Sequence, residues 1–196
     1  MSGPRKFPPL AALLGLTLSA IGLGCDATIP LAPAVSSVTA GTVTLWAITG
    51  TALANPSAYS VSGQQVVRTD RSSGFDFAFD IQVDTARDTI GVFLPRGTLG
   101  LYTSGGLQVT TQAYDSITTA PTTGYQDTLP VTVKVGTVVL AASIEQTCPN
   151  GQVEPYYAKL QIDTLDLVNR RIVFAITTDP NCGYRSLVVD SLPPTH

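Results

Sequence analysis

The stretch FDFAFDIQVD, residues 75–84, alternates apolar and polar side chains more regularly than any other part of the chain. Five apolar residues share one face of an extended strand: Phe75, Phe77, Phe79, Ile81 and Val83. Three carboxylates share the opposite face: Asp76, Asp80 and Asp84. Because successive side chains of a strand point to opposite faces, this alternation predicts a half-buried β-strand with a solvated outer face.

Similar short runs, separated by Gly, Pro, Asn and Asp, continue on both sides of this stretch. They cover residues 42–49, 58–70, 89–95, 97–103, 106–112, 130–146, 156–165, 170–179 and 184–189. Residues 113–120 are expected to form at most one helical turn, and Trp46 is expected in the core. Nine or ten short strands predict an all-β fold, an antiparallel β-sandwich of the Ig-like kind, in a single domain over residues 41–196. A closed antiparallel β-barrel is the alternative.

The composition argues against nucleic acid as a partner. Charged residues make up 13% of the 196 residues, against roughly 25% in soluble domains, and no Lys/Arg cluster is present. The formal net charge is −3. Without residues 1–24, which contain Arg5 and Lys6, nine basic and 14 acidic residues remain, a net charge of −5.

The first 25 residues have the organisation of an export signal. MSGPRKFPP carries two positive charges, and an uncharged apolar run of 14 residues follows over 10–23. A membrane-spanning helix needs about 20 such residues, whereas a signal-peptide core needs roughly 7–15. The run is therefore expected to be a signal-peptide core.

The sequence IGLGC at residues 21–25 resembles the lipobox of bacterial lipoproteins, in a relaxed form with Gly22 where that class usually has Leu. The resemblance implies a signal peptide over 1–24, cleavage before Cys25 and a diacylglyceryl group on Cys25. It also implies a location in the bacterial cell envelope, tied to a membrane by the lipid and facing the periplasm or the exterior. Residues 25–40 contain two prolines and no periodicity, which predicts a tether.

Two further cysteines, Cys148 and Cys182, lie in the turn-rich sequences TCPNG and DPNCG. They flank the open end of the hairpin predicted for 156–165 and 170–179, which places both at one edge of the sheet. Export favours oxidation, so the sequence predicts a disulfide between them. With only His196 as a further soft ligand, a zinc site is not expected.

The sequence offers little catalytic chemistry. Its one histidine, His196, is the last residue, and no nucleophile, phosphate-loop or metalloprotease motif is present. The Asp76, Asp80 and Asp84 carboxylates are spaced about 13 Å apart along a strand, too far for a glycosidase pair. Glu145 and Glu154 flank Cys148 and are the remaining pair that could approach each other. No enzyme activity and no cofactor are predicted.

Two segments are candidate binding sites. The long connection 110–130 carries Tyr114, Asp115, Tyr125, Gln126 and Asp127, which would suit a glycan or protein ligand. Alternatively, its tyrosines fold back onto the sandwich. Asp163, Asp166 and Asn169 in DTLDLVN carry oxygens suited to calcium, or they only form the hairpin turn.

Together these features predict a non-catalytic cell-envelope lipoprotein that presents a β-sandwich as a binding or accessory module. Its expected partners are the membrane, through the lipid, and a protein or glycan. A small-ligand or lipid carrier with a barrel interior is the alternative. A carboxylate-based carbohydrate-active enzyme is the least favoured possibility.

Overall fold

The computed structural model of the chain describes Gly3 and residues 30–194, and in these residues the fold is all-β. Twelve strands are present: β1 (Thr39–Trp46), β2 (Ala58–Ser60), β3 (Gln65–Val67), β4 (Phe77–Val83), β5 (Thr89–Pro95), β6 (Gly106–Thr110), β7 (Val131–Val133), β8 (Val138–Ala142), β9 (Gln146–Thr147), β10 (Val153–Glu154), β11 (Tyr157–Asp166) and β12 (Arg171–Thr178). Two short 3₁₀ helices, Arg96–Leu99 and Tyr114–Ser116, interrupt them.

The strands form two open, five-stranded antiparallel sheets and a two-stranded ribbon. The first sheet has the order β1-β12-β11-β8-β6, and the second has the order β3-β2-β4-β5-β7. The ribbon pairs β9 with β10. The antiparallel β-sandwich predicted from the sequence is confirmed, and so is the hairpin that becomes β11 and β12. A bulge between Ile162 and Thr164 shifts the register of that hairpin.

The core lies between the two sheets and is built around aromatic rings. Phe77 and Phe93 of the second sheet have ring centroids 4.9 Å apart. Phe174 of β12 meets them from the first sheet, at 6.2 Å and 5.6 Å. All three side chains are completely buried. Since a buried Phe contributes roughly 1.5–3 kcal/mol, this cluster is a main source of sandwich stability.

The solvated outer face predicted for residues 75–84 is wrong at Asp76 and Asp80, which are only 7% and 6% exposed. Asp76 accepts hydrogen bonds from the backbone N–H groups of Val61, at 2.7 Å, and Ile144, at 2.9 Å. Loops from both sheets thus converge on this carboxylate and cover it. Burial raises the pKa of Asp76, although its backbone donors oppose the rise.

Asp80 is covered in the same way by neighbouring segments. Its Oδ1 accepts from the Thr49 hydroxyl at 2.8 Å and from the Ile81 N–H at 2.8 Å. The guanidinium of Arg170 lies 3.7 Å from the same oxygen. Only Asp84, at the end of the strand, serves an ordinary turn, accepting from the N–H groups of Ala86 and Asp88.

Two predicted strands are absent from the described residues. The range 97–103 lies in the first 3₁₀ helix and an irregular segment, and the range 184–189 makes only the isolated bridge between Thr119 and Ser186. The single helical turn expected within 113–120 is present as Tyr114–Ser116. Trp46, expected in the core, is half-buried at the end of β1.

The predicted tether is partly incorporated into the domain. Within 30–40, the part that the structure describes, Val38 is 1% exposed and pairs with the C-terminal segment. Its N–H donates to the Ser191 carbonyl, and its carbonyl accepts from the Asp190 N–H. The domain therefore begins before residue 41, because Val38 is already a core side chain. No helix in the described ranges is both long and apolar enough to cross a membrane.

Candidate functional site

The long connection 110–130 lies over the outer face of the first sheet. Ile117 and Ala120 of this connection, together with Leu187, bury the outward side chains of β8 and of Tyr157. This explains why all five residues of β8 are buried, since one face meets the sandwich core and the other meets this cover. The connection is thus a structural layer as well as a candidate binding segment.

Tyr114 is held in this cover by a buried lysine. The Nζ atom of Lys159, on β11, lies 4.7 Å from the centre of the Tyr114 ring. It donates to the carbonyls of Tyr114, at 3.0 Å, and Ile117, at 2.8 Å. Tyr114 also shares a 2.8 Å hydroxyl hydrogen bond with Thr177. Burial lowers the pKa of Lys159, and Asp115 opposes that shift.

Asp115 is exposed and lines a surface cavity of about 450 Å³. Lys134 and Gln161 line the same cavity, beside the Tyr114 ring. These side chains offer both charges and an amide at one edge of the first sheet.

Tyr125 lies at a second cavity, of about 250 Å³, at the other end of the connection. Its hydroxyl donates to the Pro121 carbonyl at 3.0 Å, and its ring centroid is 6.2 Å from that of Tyr157. Glu145 and Glu154 line this cavity as well. Burial raises the pKa values of both tyrosines, so both phenols are neutral at physiological pH.

Gln126 and Asp127 have mainly backbone roles. Gln126 exchanges two backbone hydrogen bonds with Leu107, of 2.7 Å and 2.9 Å. Asp127 passes so close to Gly97 that a Cβ atom there would lie 2.3 Å from the Asp127 carbonyl oxygen. These contacts fasten the end of the connection to β6 and place it against the first 3₁₀ helix. The five predicted residues therefore lie around two cavities and an anchoring bridge, and do not form one site.

The disulfide between Cys148 and Cys182 is present, with the two Cα atoms 5.7 Å apart. It ties the β9–β10 ribbon to the loop that follows β12. The Cys182 sulfur lies 3.8 Å from the Glu154 carbonyl oxygen, so the bridge also fixes one wall of the Tyr125 cavity.

The hairpin turn that carries the calcium candidates is held by its own side chains. Asp166 accepts from the Asn169 backbone N–H at 2.9 Å and from the Asn169 side-chain amide at 2.7 Å. The Nε atom of Arg171 is 3.5 Å from the same carboxylate. Asp163 is exposed on β11. Over the described part of the chain, no three His, Cys, Asp or Glu side chains are grouped as a metal site would require.

Sequence reasoning missed Lys159 and the importance of Tyr157. Tyr157 and Lys159 are two positions apart in the run YYAKLQI, so a strand places both side chains on the same face. Recognising that another segment covers this face would have identified both residues. Cys25 and His196 lie outside the described residues. Neither a protein-family model nor a curated protein matches this chain.

Proposed function

We propose that this protein is a non-catalytic lipoprotein of the bacterial cell envelope that presents its β-sandwich as a binding or accessory module. The observation that carries the proposal is the N-terminal sequence, with two positive charges, a 14-residue apolar run and a lipobox-like IGLGC ending at Cys25. The Cys148–Cys182 disulfide supports export, because such bonds persist in oxidising compartments.

The contacts of residues 30–36 fit a chain that is anchored at Cys25. Asp179 orients Asn181. The Asp179 Oδ1 atom accepts hydrogen bonds from the backbone N–H and the side-chain amide of Asn181. The Asn181 side chain then accepts from the Val35 N–H at 2.9 Å and donates to the Ser36 carbonyl at 2.7 Å. These contacts hold the incoming chain next to the disulfide.

Asn150 extends this attachment towards the N-terminus, since its side-chain amide donates to the Pro30 carbonyl at 2.8 Å. Pro30 is only five residues from Cys25. Fully extended, five residues span at most about 18 Å. A lipid on Cys25 would therefore hold the domain close to the membrane surface, with the disulfide-bonded end nearest to it.

The packed interior favours a binding module over a lipid carrier. Carriers hold their ligand between or within sheets, and here that space is filled by Phe77, Phe93, Phe174 and their neighbours. Binding would then use the surface, where connection 110–130 lines two cavities.

Mass spectrometry of the protein extracted from bacterial membranes tests the anchor. The expected result is a chain that begins at Cys25 and carries a diacylglyceryl mass, and a Cys25→Ser variant should lose that mass and leave the membrane fraction. A Cys148→Ser and Cys182→Ser double variant is the matched control, which should keep the acyl mass. A mature chain that begins elsewhere, or lacks the lipid, contradicts the proposal.

Crosslinking in intact envelopes tests the binding role. The expected result is a defined protein partner whose crosslinks map to connection 110–130 or to the disulfide-bonded end. Turnover of an envelope glycan by the purified protein would instead support an enzyme.

A further inference from the structure

The outer edge of β1, at the end of the first sheet, carries backbone groups without partners. Just past the strand, the Ala47 N–H donates to the Arg170 carbonyl at 2.8 Å, on the side of β12. Bonding directions alternate along an antiparallel strand, so the odd-numbered residues of β1 bond to β12 and the even-numbered residues direct their N–H and C=O groups outward. In the described part of the chain, nothing bonds to the outward backbone groups of three residues: Ala40, Thr42 and Thr44.

Two other segments close this edge at its ends. Both backbone groups of Val38 bond to the C-terminal segment, and its N–H donates to the Ser191 carbonyl at 3.0 Å. At the other end, the Trp46 N–H donates to the Pro56 carbonyl at 3.0 Å. The stretch between the two closures, residues 39–45, is roughly 20 Å long at the usual rise of a strand. We call this stretch the open edge of β1.

The other three edges of the two large sheets in the described domain are short or covered, as exposed edges usually are. β3 and β7 have three residues each, and β7 lies between Pro130 and Lys134. On β6, both backbone groups of Leu107 are taken by Gln126. By contrast, β1 has eight residues, and none of them is charged or proline. It is therefore the edge of the described domain that is best suited to accept a further strand.

A cavity of about 230 Å³ lies beside the open edge. Residues 39–43 of β1 border it, together with Tyr59 and Gln64 across the sandwich and Ile176 and Thr178 of β12. None of these lining side chains is charged. A strand added to the edge would direct alternate side chains towards this cavity. An uncharged side chain of the size of valine suits it, because a charge would lose its hydration without gaining a counterion.

We propose that the open edge of β1 binds an extended, uncharged segment of a partner protein as an added β-strand. Alternating outward donors and acceptors along one line are matched by an extended backbone, which identifies the chemistry of the occupant. A second copy of the chain fits poorly, because its β1 pairs rigidly over eight residues and would run into the segments that close the edge at Val38 and Trp46. A free segment of about five residues, at about 3.4 Å each, fits between them.

This surface is separate from the one considered above. It lies at the opposite edge of the first sheet from β6, which holds the end of connection 110–130. It also does not depend on a lipid at Cys25. The inference therefore goes beyond the proposed function.

The test uses the ¹⁵N-labelled protein, extracted from bacterial membranes in a non-ionic detergent, with backbone amides observed by NMR. The probe is the peptide acetyl-Thr-Val-Thr-Val-Thr-amide, and the same peptide N-methylated at every residue is its control. The unmodified peptide alone should give saturable downfield shifts of three amide protons: Ala40, Thr42 and Thr44. The amides of Gly41 and Val43, which bond to β12, should move much less. At a peptide concentration of about nine times Kd, hydrogen exchange of the three amides should slow about tenfold.

The variant Thr42→Pro should weaken peptide binding about tenfold or more, because proline removes the central outward donor. Proline is tolerated on an edge strand where its nitrogen faces outward, and the Thr42 N–H bonds to nothing in the described residues. Thr42→Val is the matched control, since it keeps the N–H, and it should leave binding unchanged. Circular dichroism checks that both variants are folded. If Thr42→Pro does not fold, the methylated peptide and the contrast between even and odd residues still decide the question.

Absence of shifts at Ala40, Thr42 and Thr44 with the unmodified peptide would overturn this inference. Equal shifts with the methylated peptide, or equal shifts at even and odd residues, would overturn it as well. Protection of the three amides without peptide, in a protein that sediments as a dimer, would overturn it in favour of pairing between two copies. The acyl mass at Cys25 tests the proposed function separately, so the two can fail independently.

Discussion

Removal of the Cys148–Cys182 disulfide is expected to destabilise the domain substantially. The two cysteines are separated by 34 positions in the sequence. Closing a loop of this length in the unfolded chain corresponds to about 4 kcal/mol at 25 °C in the chain-entropy model. A Cys148→Ala and Cys182→Ala double variant should therefore lose about 4 kcal/mol of unfolding free energy.

The position of the disulfide predicts which part of the domain loses stability first when the bond is removed. Asn150 and Asn181, next to the two cysteines, bind the incoming chain at Pro30, Val35 and Ser36. The β11–β12 hairpin, which lies inside the bridged loop, has its own ladder of eight paired positions. Amide hydrogen exchange should therefore rise at residues 35 and 36 well before it rises within the hairpin.

Thermal unfolding followed by circular dichroism measures the global effect. For a domain of this size, about 4 kcal/mol corresponds to a fall in Tm of roughly 8–16 °C. Treating the unsubstituted protein with a reductant should give the same fall, and Cys25→Ala should leave Tm unchanged. A double variant within about 1 kcal/mol of the original protein, with unchanged exchange at residues 35 and 36, would falsify this reasoning.

Three further predictions concern buried groups. Asp76→Asn should cost about 1–3 kcal/mol in denaturant unfolding, because a backbone amide loses its acceptor. Burial raises the pKa of Asp76 in the folded state. The protonated carboxyl therefore stabilises the folded state, and this contribution is complete below the unfolded pKa of about 3.9. That contribution is lost as the pH rises through the folded pKa. The difference in unfolding free energy between the original protein and the Asn variant should therefore shrink as the pH rises from the unfolded to the folded pKa. A difference that stays constant would contradict a raised pKa for Asp76. Lys159→Met should cost about 1–3 kcal/mol and speed hydrogen exchange over residues 114–120, since the carbonyls of Tyr114 and Ile117 lose their donor; unchanged exchange there would argue against the lysine's role. Phe174→Ala should cost about 3–5 kcal/mol in the same denaturant assay, since it opens a cavity between the sheets, and a loss below about 1 kcal/mol would show that the core is not packed as described.

Local patterning was sufficient for most of the sandwich. The range predicted as 89–95 matches β5, and the range 106–112 contains β6. The range 42–49 only overlaps β1, which begins at Thr39 and ends at Trp46. Period-two alternation and turn residues act over a few positions, so a single sequence carries this information. The range 97–103 was misassigned because the chain turns there through a 3₁₀ helix. Of its large apolar residues, only Leu101 packs against a buried cluster, while Leu99 and Tyr102 are exposed.

The candidate site was predicted less completely. Sequence reasoning selected connection 110–130 by its length and its tyrosines, but it could not show that its two ends line different cavities. It also noted that Glu145 and Glu154 flank Cys148, and only the fold places both beside Tyr125 and Tyr157. Those contacts join segments far apart in sequence, which no local pattern specifies.

The sequence by itself determined the β-rich class, the approximate strands and the pairing of Cys148 with Cys182, because alternation, turn residues and hairpin geometry are local properties. It also supplied the N-terminal pattern on which the proposed anchor rests. Tertiary structure alone decided that Asp76 and Asp80 are buried and that Lys159 lies under connection 110–130. The reason is physical: alternation tells which side chains share a face of a strand, but whether that face meets water depends on which distant segment covers it.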